Sequence, residues 1–529
     1  MATPDASPPT PAPTAVTSHA RFILGVLFVV SILNFVDRQI LAILAGKVKA
    51  DLLISDAQLG FLYGTVFGIF YAVFGVPLGV YADLGSRKRL IAWGLGLWSL
   101  MTLASGFATG FVSLALARIG VGIGEASASP AAYSLISDLF PKVRRATALA
   151  IYSLGVYVGI GLSSFLGGAV VDGWSAAFPP GQEPFGLRGW QVAFIVAGLP
   201  GLLLVPLVLS FREPVRGAME EGATASKEVT PAADSKPGAL RSALSEGLAL
   251  LPPFSLFFLR RDGVPFATNA WTFGIMALSA LLLSTAFGDP VQWICLSIGL
   301  YVVATMAQRL RAREKDTFAL IFNTPSLALA TFGFSSLSFT GYAIGLWTAP
   351  FFVRYHGFSL SEIGGILGVI SAVGGGLGVT MGGLLADRLR RKIPWGRLAV
   401  GMMNALLPLP FLWLALNIPD RTTALVLFVF AQTFAALWLG AATSMVQEMV
   451  LPHMRARASA VMLLFVNIVG LALGPYVVGR LSDLWGDLRL AFMVASLANL
   501  VAFVFFVLAS RTIAIDEETR EARAAAARA

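Results

Sequence analysis

Twelve apolar runs of about 20 residues each dominate this chain, and that is the length an α-helix needs to cross the hydrocarbon core of a bilayer. They fall at roughly 22–45, 57–82, 90–110, 112–137, 146–171, 189–211, 325–350, 361–386, 396–417, 422–447, 457–480 and 488–510. Two more, 267–287 and 291–308, lie between the sixth and the seventh. Composition agrees: 57% of residues are hydrophobic, 13% are charged and the mean hydropathy is +0.77, well beyond a soluble domain. The expected fold is an all-α polytopic membrane protein.

The 38 Lys and Arg set its orientation. With the N-terminus inside, 29 fall in cytoplasmic segments, seven in external loops and two, Arg38 and Arg118, within spans. This is the positive-inside bias; it predicts a multi-pass protein of the cell membrane with both termini cytoplasmic. The net charge of +9 is then explained by topology and anionic lipid, without nucleic acid as a partner. Residues 1–20 lack a basic start before an apolar run and are expected to be a disordered tail. The single Cys295 rules out an internal disulfide.

The chain is also duplicated. Residues 55–88 align without gaps on 359–392, pairing Ser55, Gly60, Gly64, Gly79, Asp83, Arg87 and Lys88 with Ser359, Gly364, Gly368, Gly383, Asp387, Arg391 and Lys392. Residues 141–172 align on 452–483, pairing Pro141, Arg144, Gly159, Gly168 and Asp172 with Pro452, Arg455, Gly470, Gly479 and Asp483. Two six-helix units, 21–211 and 325–510, follow from this. They are joined by a polar connector at 212–266, the apolar pair at 267–308 and a basic linker at 309–324, and are followed by a tail at 511–529. Basic residues flank the apolar pair and Gly288-Asp289-Pro290 forms its tip, which predicts an inserted transmembrane hairpin and 14 spans in all; an amphipathic hairpin on the membrane surface is the alternative.

Parallel repeats of six helices resemble the major facilitator superfamily. Gly79-x-x-x-Asp83-x-x-x-Arg87-Lys88 and Gly383-x-x-x-Asp387-Arg388-x-x-Arg391-Lys392 are similar to that family's signature after the second helix of each half. Asp138 and Arg145, and Glu448 and Arg455, resemble its acidic–basic pairs after helices four and ten. Asp83, Arg87, Asp138, Arg145, Asp387, Arg391, Glu448 and Arg455 are therefore expected to latch the cytoplasmic side, unless they are simply solvated loop charges.

Inside the membrane the halves differ. The first carries Asp37, Arg38, Arg118 and Glu125, where the second has Gly341, Tyr342, Val429 and Ala436. A charge at mid-membrane costs about 2.5–3.5 kcal/mol on insertion scales, so the four need compensation or a task. Span midpoints place Asp37 level with Arg118, as an ion pair, and leave Glu125 without a cation. A carboxylate held away from water favours its neutral form, as a proton-coupling group requires. Asp37 and Glu125 are the expected proton carriers, with Arg38 and Arg118 exchanging partners or meeting a substrate headgroup; a purely structural network is the alternative.

Asn34-Phe-Val-Asp37-Arg38-Gln39, Gly122-x-Gly124-Glu125-Ala126 and Ser137-Asp138-Leu-Phe-Pro141 are similar to segments of the spinster family within that superfamily. The resemblance implies proton-linked, alternating-access movement of a lysolipid- or sphingolipid-like amphiphile, with the acids at Asp37 and Glu125 and the arginine at Arg118 as the working set. Phe339, Tyr342, Trp347, Phe434 and Trp438 are expected to form an apolar wall opposite the charges. A proton-coupled carrier of small organic anions, held by Arg38 and Arg118, and an uncoupled facilitator remain alternatives. An enzyme is not expected: His19, His356 and His453 lie outside the spans, and no phosphate-cradling loop or His-Glu-x-x-His occurs. The expected partners are an amphiphilic small molecule and membrane lipid. No metal or cofactor is implied beyond a proton gradient, and the chain is expected to be monomeric.

Overall fold

The computed structural model describes residues 16–217, 219 and 238–528. Most of the expected N-terminal tail and the middle of the connector lie outside them. The first six spans are α1 (Ser18–Leu52), α2 (Asp56–Leu84), α3 (Arg87–Ser105), α4 (Phe111–Leu139), α5 (Lys142–Ala177) and α6 (Gly189–Ser210). Two short helices follow, α7 (Ala239–Leu250) and α8 (Ser255–Arg261), then α9 (Phe266–Phe287), α10 (Pro290–Arg313) and the linker helix α11 (Lys315–Phe322). The second half is α12 (Pro325–His356), α13 (Leu360–Arg390), α14 (Gly396–Asn417), α15 (Arg421–Met449), α16 (Arg457–Trp485) and α17 (Leu488–Glu518), with α18 (Arg520–Arg528) behind it. Thirteen of the described helices are long and apolar enough to cross a membrane. The helix α3 opens with Arg87-Lys88-Arg89 and packs against α4 and α6 as the missing member of its bundle.

The described part of the connector forms two helices. The helices α7 and α8 meet at a bend of 111°, and α7 packs along α2, with Leu250 beside Ile69, Ala72 and Val73. The hairpin α9–α10 lies outside the twelve-helix body. Leu296, Val302 and Val303 of α10 cover the seam where α2 meets α16. On α9, Trp271, Ile275, Leu278, Leu281 and Leu282 are exposed, as expected for a surface facing lipid rather than protein.

The two halves meet at the membrane face opposite the termini, here called the far face. Two crossings make the contact, α2 with α16 and α5 with α13, and both depend on absent side chains. A β-carbon added at Gly60 would fall 2.4 Å from Pro475 O, and one at Gly479 2.2 Å from Asp56 O. The other crossing repeats this: Gly364 would meet Ser164 O at 2.3 Å and Gly168 would meet Leu360 O at 2.2 Å. These pairs interchange under the sequence duplication, so the repeated glycines are the repeated contact.

Helix caps across the seam follow the same symmetry. Asp483 accepts from the main-chain N–H groups of Asp56 and Ala57 at 2.9 and 2.7 Å, and Asp172 accepts from that of Ser361 at 2.7 Å. Each carboxylate thus satisfies donors at the start of a helix in the other half. One crossing also carries an ion lock. Asp56 accepts from Lys49 at 2.6 Å, from Arg354 at 2.9 and 3.0 Å and from Ser482 at 2.8 Å, whereas its repeat partner is Leu360. Among the described residues, no comparable packing joins the ends of α4 and α5 to those of α13 and α15 at the terminal face. The molecule is closed at the far face and open at the terminal face.

Candidate functional site

The four intramembrane charges converge on one cluster between α1 and α4, with a different pairing from the expected one. Arg38 grips Glu125: Nε donates to Oε2 at 2.9 Å and Nη2 lies 2.8 Å from the same oxygen. Arg118 forms no ion pair with Asp37. It donates instead to the main-chain carbonyls of Asp37 and Arg38, both at 3.2 Å. Asp37 turns toward α3, where Ser99 donates to its Oδ2 at a long 3.4 Å.

The reason is register. Helix α1 runs to Leu52, beyond the end of its apolar run, which moves its midpoint to residue 35. Arg38 then lies about 4.5 Å past that midpoint at 1.5 Å per residue, and Glu125 sits at the midpoint of α4, while Arg118 is about 10 Å away along the helix. Arg38 and Glu125 are the near-level pair. Successive helical residues point about 100° apart, so Asp37, one position earlier, faces the bundle interior.

Burial grades the cluster. The side chains of Asp37, Arg118 and Glu125 are enclosed, whereas that of Arg38 is 13% exposed. Arg38 is therefore the member that meets the vestibule. Its guanidinium lies 4.7, 4.6 and 4.9 Å from the ring centroids of Phe35, Phe67 and Tyr71, and that of Arg118 lies 5.3 Å from Phe67. Such contacts stabilise a cation by about 0.5–1 kcal/mol each at exposed sites and by about 2 kcal/mol or more when it is desolvated. Among the described residues, Asp37 Oδ1, Glu125 Oε1, Arg118 Nε and Asn34 Nδ2 are buried without a hydrogen-bond partner. The Asn34 amide stands near Glu125 and the Trp98 indole near Asp37 without completing a hydrogen bond, so each acid has an oxygen that can carry a proton. Phe35, Phe67, Tyr71 and Ser99 were not signalled by the sequence, because ordinary aromatic and hydroxyl residues in membrane helices carry no pattern.

The opposite wall departs from expectation at Trp347. Tyr342 of α12 lies within electrostatic reach of Arg38, and Phe339, one turn away, is half-buried. Trp347 is fully buried at the far-face seal, donating to Pro475 O at 2.9 Å. Phe434 packs on Phe411 of α14, and Trp438 stacks on Phe334 inside the second bundle. Trp347 is therefore a core residue, whereas Phe434 and Trp438 are half-buried and keep part of their surface outside the second bundle's core.

At the terminal face, the expected latch charges pair within each half. Arg87 is fully buried and binds Asp138 and Glu213; Ser134 accepts from it at 2.9 Å. Glu213, just past α6, went unrecognised in the sequence. Arg145 donates to Ser137 O at 2.8 Å. In the second half Glu448 pairs with Arg390 and Arg397, and Arg390 also binds Glu517. Arg391, the aligned residue, is exposed, because helix α13 presents its preceding residue to the bundle. Arg455 donates to Gln447 O at 3.1 Å. Asp83 and Asp387 are exposed in this open arrangement. No cluster of three or more His, Cys, Asp or Glu suited to a metal occurs among the described residues.

Comparison with known proteins agrees with this architecture. The Major Facilitator Superfamily model matches residues 27–361 and 347–528. The chain is 29% identical to an MFS-type efflux pump of Mycolicibacterium smegmatis, covering 94% of each protein. It is 27% identical to human spinster homolog 1, covering 88% of this chain and 73% of that one. A bacterial homolog of the human lysosomal transporter spinster, solved in an inward-facing and unoccupied conformation, superposes with a TM-score of 0.68 at 24% identity, over 95% of this chain and 99% of that one. The chain belongs to the Major Facilitator Superfamily: it is a multi-pass membrane transporter with spinster-like relatives, and not an enzyme.

Proposed function

We propose that the protein is a proton-coupled secondary transporter working by alternating access, with Glu125 and Asp37 as the proton-binding groups. The observation that carries this reading is the Arg38–Glu125 pair. Its acid is buried with one oxygen unpartnered, and its base faces the vestibule. Protonating Glu125 removes half of the pair and frees Arg38 for an anionic substrate group; loss of the proton draws Arg38 back. Asp37, shielded behind α1, exchanges protons through Glu125 as the bundle shifts.

The substrate class that fits best is an amphiphile with an anionic head. Arg38 sits among Phe35, Phe67 and Tyr71, with Tyr342 opposite, so charge and apolar surface adjoin. On the positive-inside argument the terminal face is cytoplasmic, the conformation is inward-facing, and the far-face seal is the external gate. Asp83 and Asp387 are then placed to find partners when the cytoplasmic side closes.

Proteoliposomes loaded with labelled lysolipids or small organic anions test this, with and without an imposed pH gradient. Wild-type flux should respond to the gradient at least tenfold, and Glu125→Gln should abolish that response while leaving exchange between equal substrate pools. Flux indifferent to pH in the wild type, or a gradient response that survives Glu125→Gln, would refute the proton role. Uptake of small anions without lysolipid would move the substrate to the organic-anion class.

A further inference from the structure

We propose that α7 and α8 form a re-entrant pair that enters the membrane from the terminal face, turns at mid-depth and returns, with anionic phospholipid bound at its base. Contacts with two full spans fix the depth of three points along it. A β-carbon added at Gly247 would lie 3.5 Å from Pro77 of α2. Leu250, nearly one turn further on, is beside Val73, Ala72 and Ile69 at the middle of that helix. Ser255 Oγ then lies 2.5 Å from Tyr301 Oη, at the middle of α10. By Asp262 the chain is back at the terminal end of α10, where it pairs with Arg309 and Arg313. At 1.5 Å per residue, Tyr301 is about 12 Å from Arg309 along the helix, and half of a hydrocarbon core is about 15 Å. Both ends of the pair are thus on one side. The bend of 111° is a turn inside the bilayer and not a break in a crossing helix.

The local chemistry suits that depth. The apex is Leu251-Pro252-Pro253-Phe254. Proline has no N–H, so the turn lacks two donors that hydrocarbon could not satisfy. The N–H of Ser255 donates to Leu251 O at 2.9 Å. A chain of hydrogen bonds then ties the pair to the hairpin. Ser255 meets Tyr301, Tyr301 Oη donates to Asn269 Oδ1 at 2.7 Å, Asn269 to Gln308 at 3.0 Å and Gln308 to Thr272 at 2.6 Å. Glu246, the acid within α7, binds Arg309. Non-helical backbone at membrane depth is tolerated where protein satisfies it in this way.

The outer face of the pair is apolar and its base is basic. Leu240, Leu244, Phe254 and Phe257 are exposed, where acyl chains would run. Arg241 at the start of α7 and Arg260 and Arg261 at the end of α8 are exposed as well. Among the described residues, none of these three arginines has a carboxylate partner, unlike Arg309 and Arg313 beside them. Arg261 lies over Phe258, 5.6 Å from the ring centroid. Cations at headgroup level, next to side chains that face the acyl region, select a phospholipid by its phosphate. Phosphatidylcholine cancels that charge with its own ammonium, whereas phosphatidylglycerol does not. The preferred partner is therefore a lipid with net negative charge in the leaflet of the terminal face.

The test uses the full chain carrying Cys295→Ser and one of Leu240→Cys, Phe254→Cys, Pro265→Cys or Val291→Cys, in right-side-out and inverted membrane vesicles. A membrane-impermeant maleimide should label Leu240→Cys and Pro265→Cys from one side and Val291→Cys, at the hairpin tip, from the other. Phe254→Cys should react at least tenfold more slowly than these from either side. Labelling of Leu240→Cys and Pro265→Cys from opposite sides would make the pair a crossing span. Fast labelling of Phe254→Cys would make it a surface segment, and either result overturns the proposal. A fluorophore on Phe257→Cys, in nanodiscs, reads the lipid. Phosphatidylglycerol brominated on its chains should quench it at a mole fraction at least fivefold below that needed for brominated phosphatidylcholine. Arg260→Gln/Arg261→Gln should remove that difference. Equal quenching by the two lipids, or a preference that survives both this variant and Arg241→Gln, would overturn the lipid assignment.

Discussion

Gly168→Leu should abolish the closure of the far face. Gly168 lies in α5 where it crosses the start of α13, and a β-carbon there would fall 2.2 Å from Leu360 O. That neighbour is backbone, which cannot swing aside as a side chain could. Overpacking a close contact costs about 1–3 kcal/mol, enough to shift a two-state equilibrium roughly 5- to 150-fold. The helix itself gains, because leucine is a better helix former than glycine by about 0.8 kcal/mol. The strain therefore falls on the closed state alone. Nitroxide labels at the far-face ends of α5 and α13 should report a longer distance as the main population, and transport should fall at least tenfold. Gly173→Leu supplies the control: it lies on the same helix with nothing within 4 Å of an added β-carbon, and should leave both readings unchanged. A Gly168→Leu protein that still closes would mean the crossing is loose enough to yield.

That seal was partly visible in the sequence. The duplication paired Gly60 with Gly364, Gly168 with Gly479 and Asp172 with Asp483, and those positions make the two crossings and their caps. A repeat reports which residues are constrained without reporting what constrains them. The third dimension was needed to see that each glycine faces a carbonyl of the other half. The ion lock at Asp56 was silent because only one crossing carries it, with Leu360 at the related position.

The central cluster was legible in membership and not in pairing. Charges inside apolar runs stand out, so Asp37, Arg38, Arg118 and Glu125 are found from composition alone. Their partners depend on depth to within one turn, and the extra residues at the end of α1 moved the level by enough to pair Arg38 with Glu125. Trp347 departed from the expected aromatic wall for a related reason. It lies on the right helix, at the far-face seal, but a span that is apolar all round gives no clue to which face meets the cavity.

Arg118 should prove the most costly of the four charges to remove. It is enclosed, and its guanidinium supports the main chain of α1 at Asp37 and Arg38 while lying over Phe67. Among the described residues it is also the buried cation that offsets Asp37, whose Oδ1 has no hydrogen-bond donor. Arg118→Met keeps much of the volume but leaves two buried carboxylates facing one arginine. Stranding a buried charge in this way costs about 3–5 kcal/mol. Unfolding followed in mixed SDS–detergent micelles should show a loss of that order, and Asp37→Asn alone should show a smaller one, because Arg118 keeps its two carbonyl acceptors and its contact with Phe67. The double variant Arg118→Met/Asp37→Asn should recover most of the loss, because the amide needs no counter-charge. A coupling energy of at least about 1 kcal/mol is expected from the cycle. If the two losses simply add, Arg118 acts only as a prop for the backbone of α1. The charge balance of the cluster would then rest on Arg38 and Glu125 alone, and Asp37 would have to be neutral in the folded protein at all times.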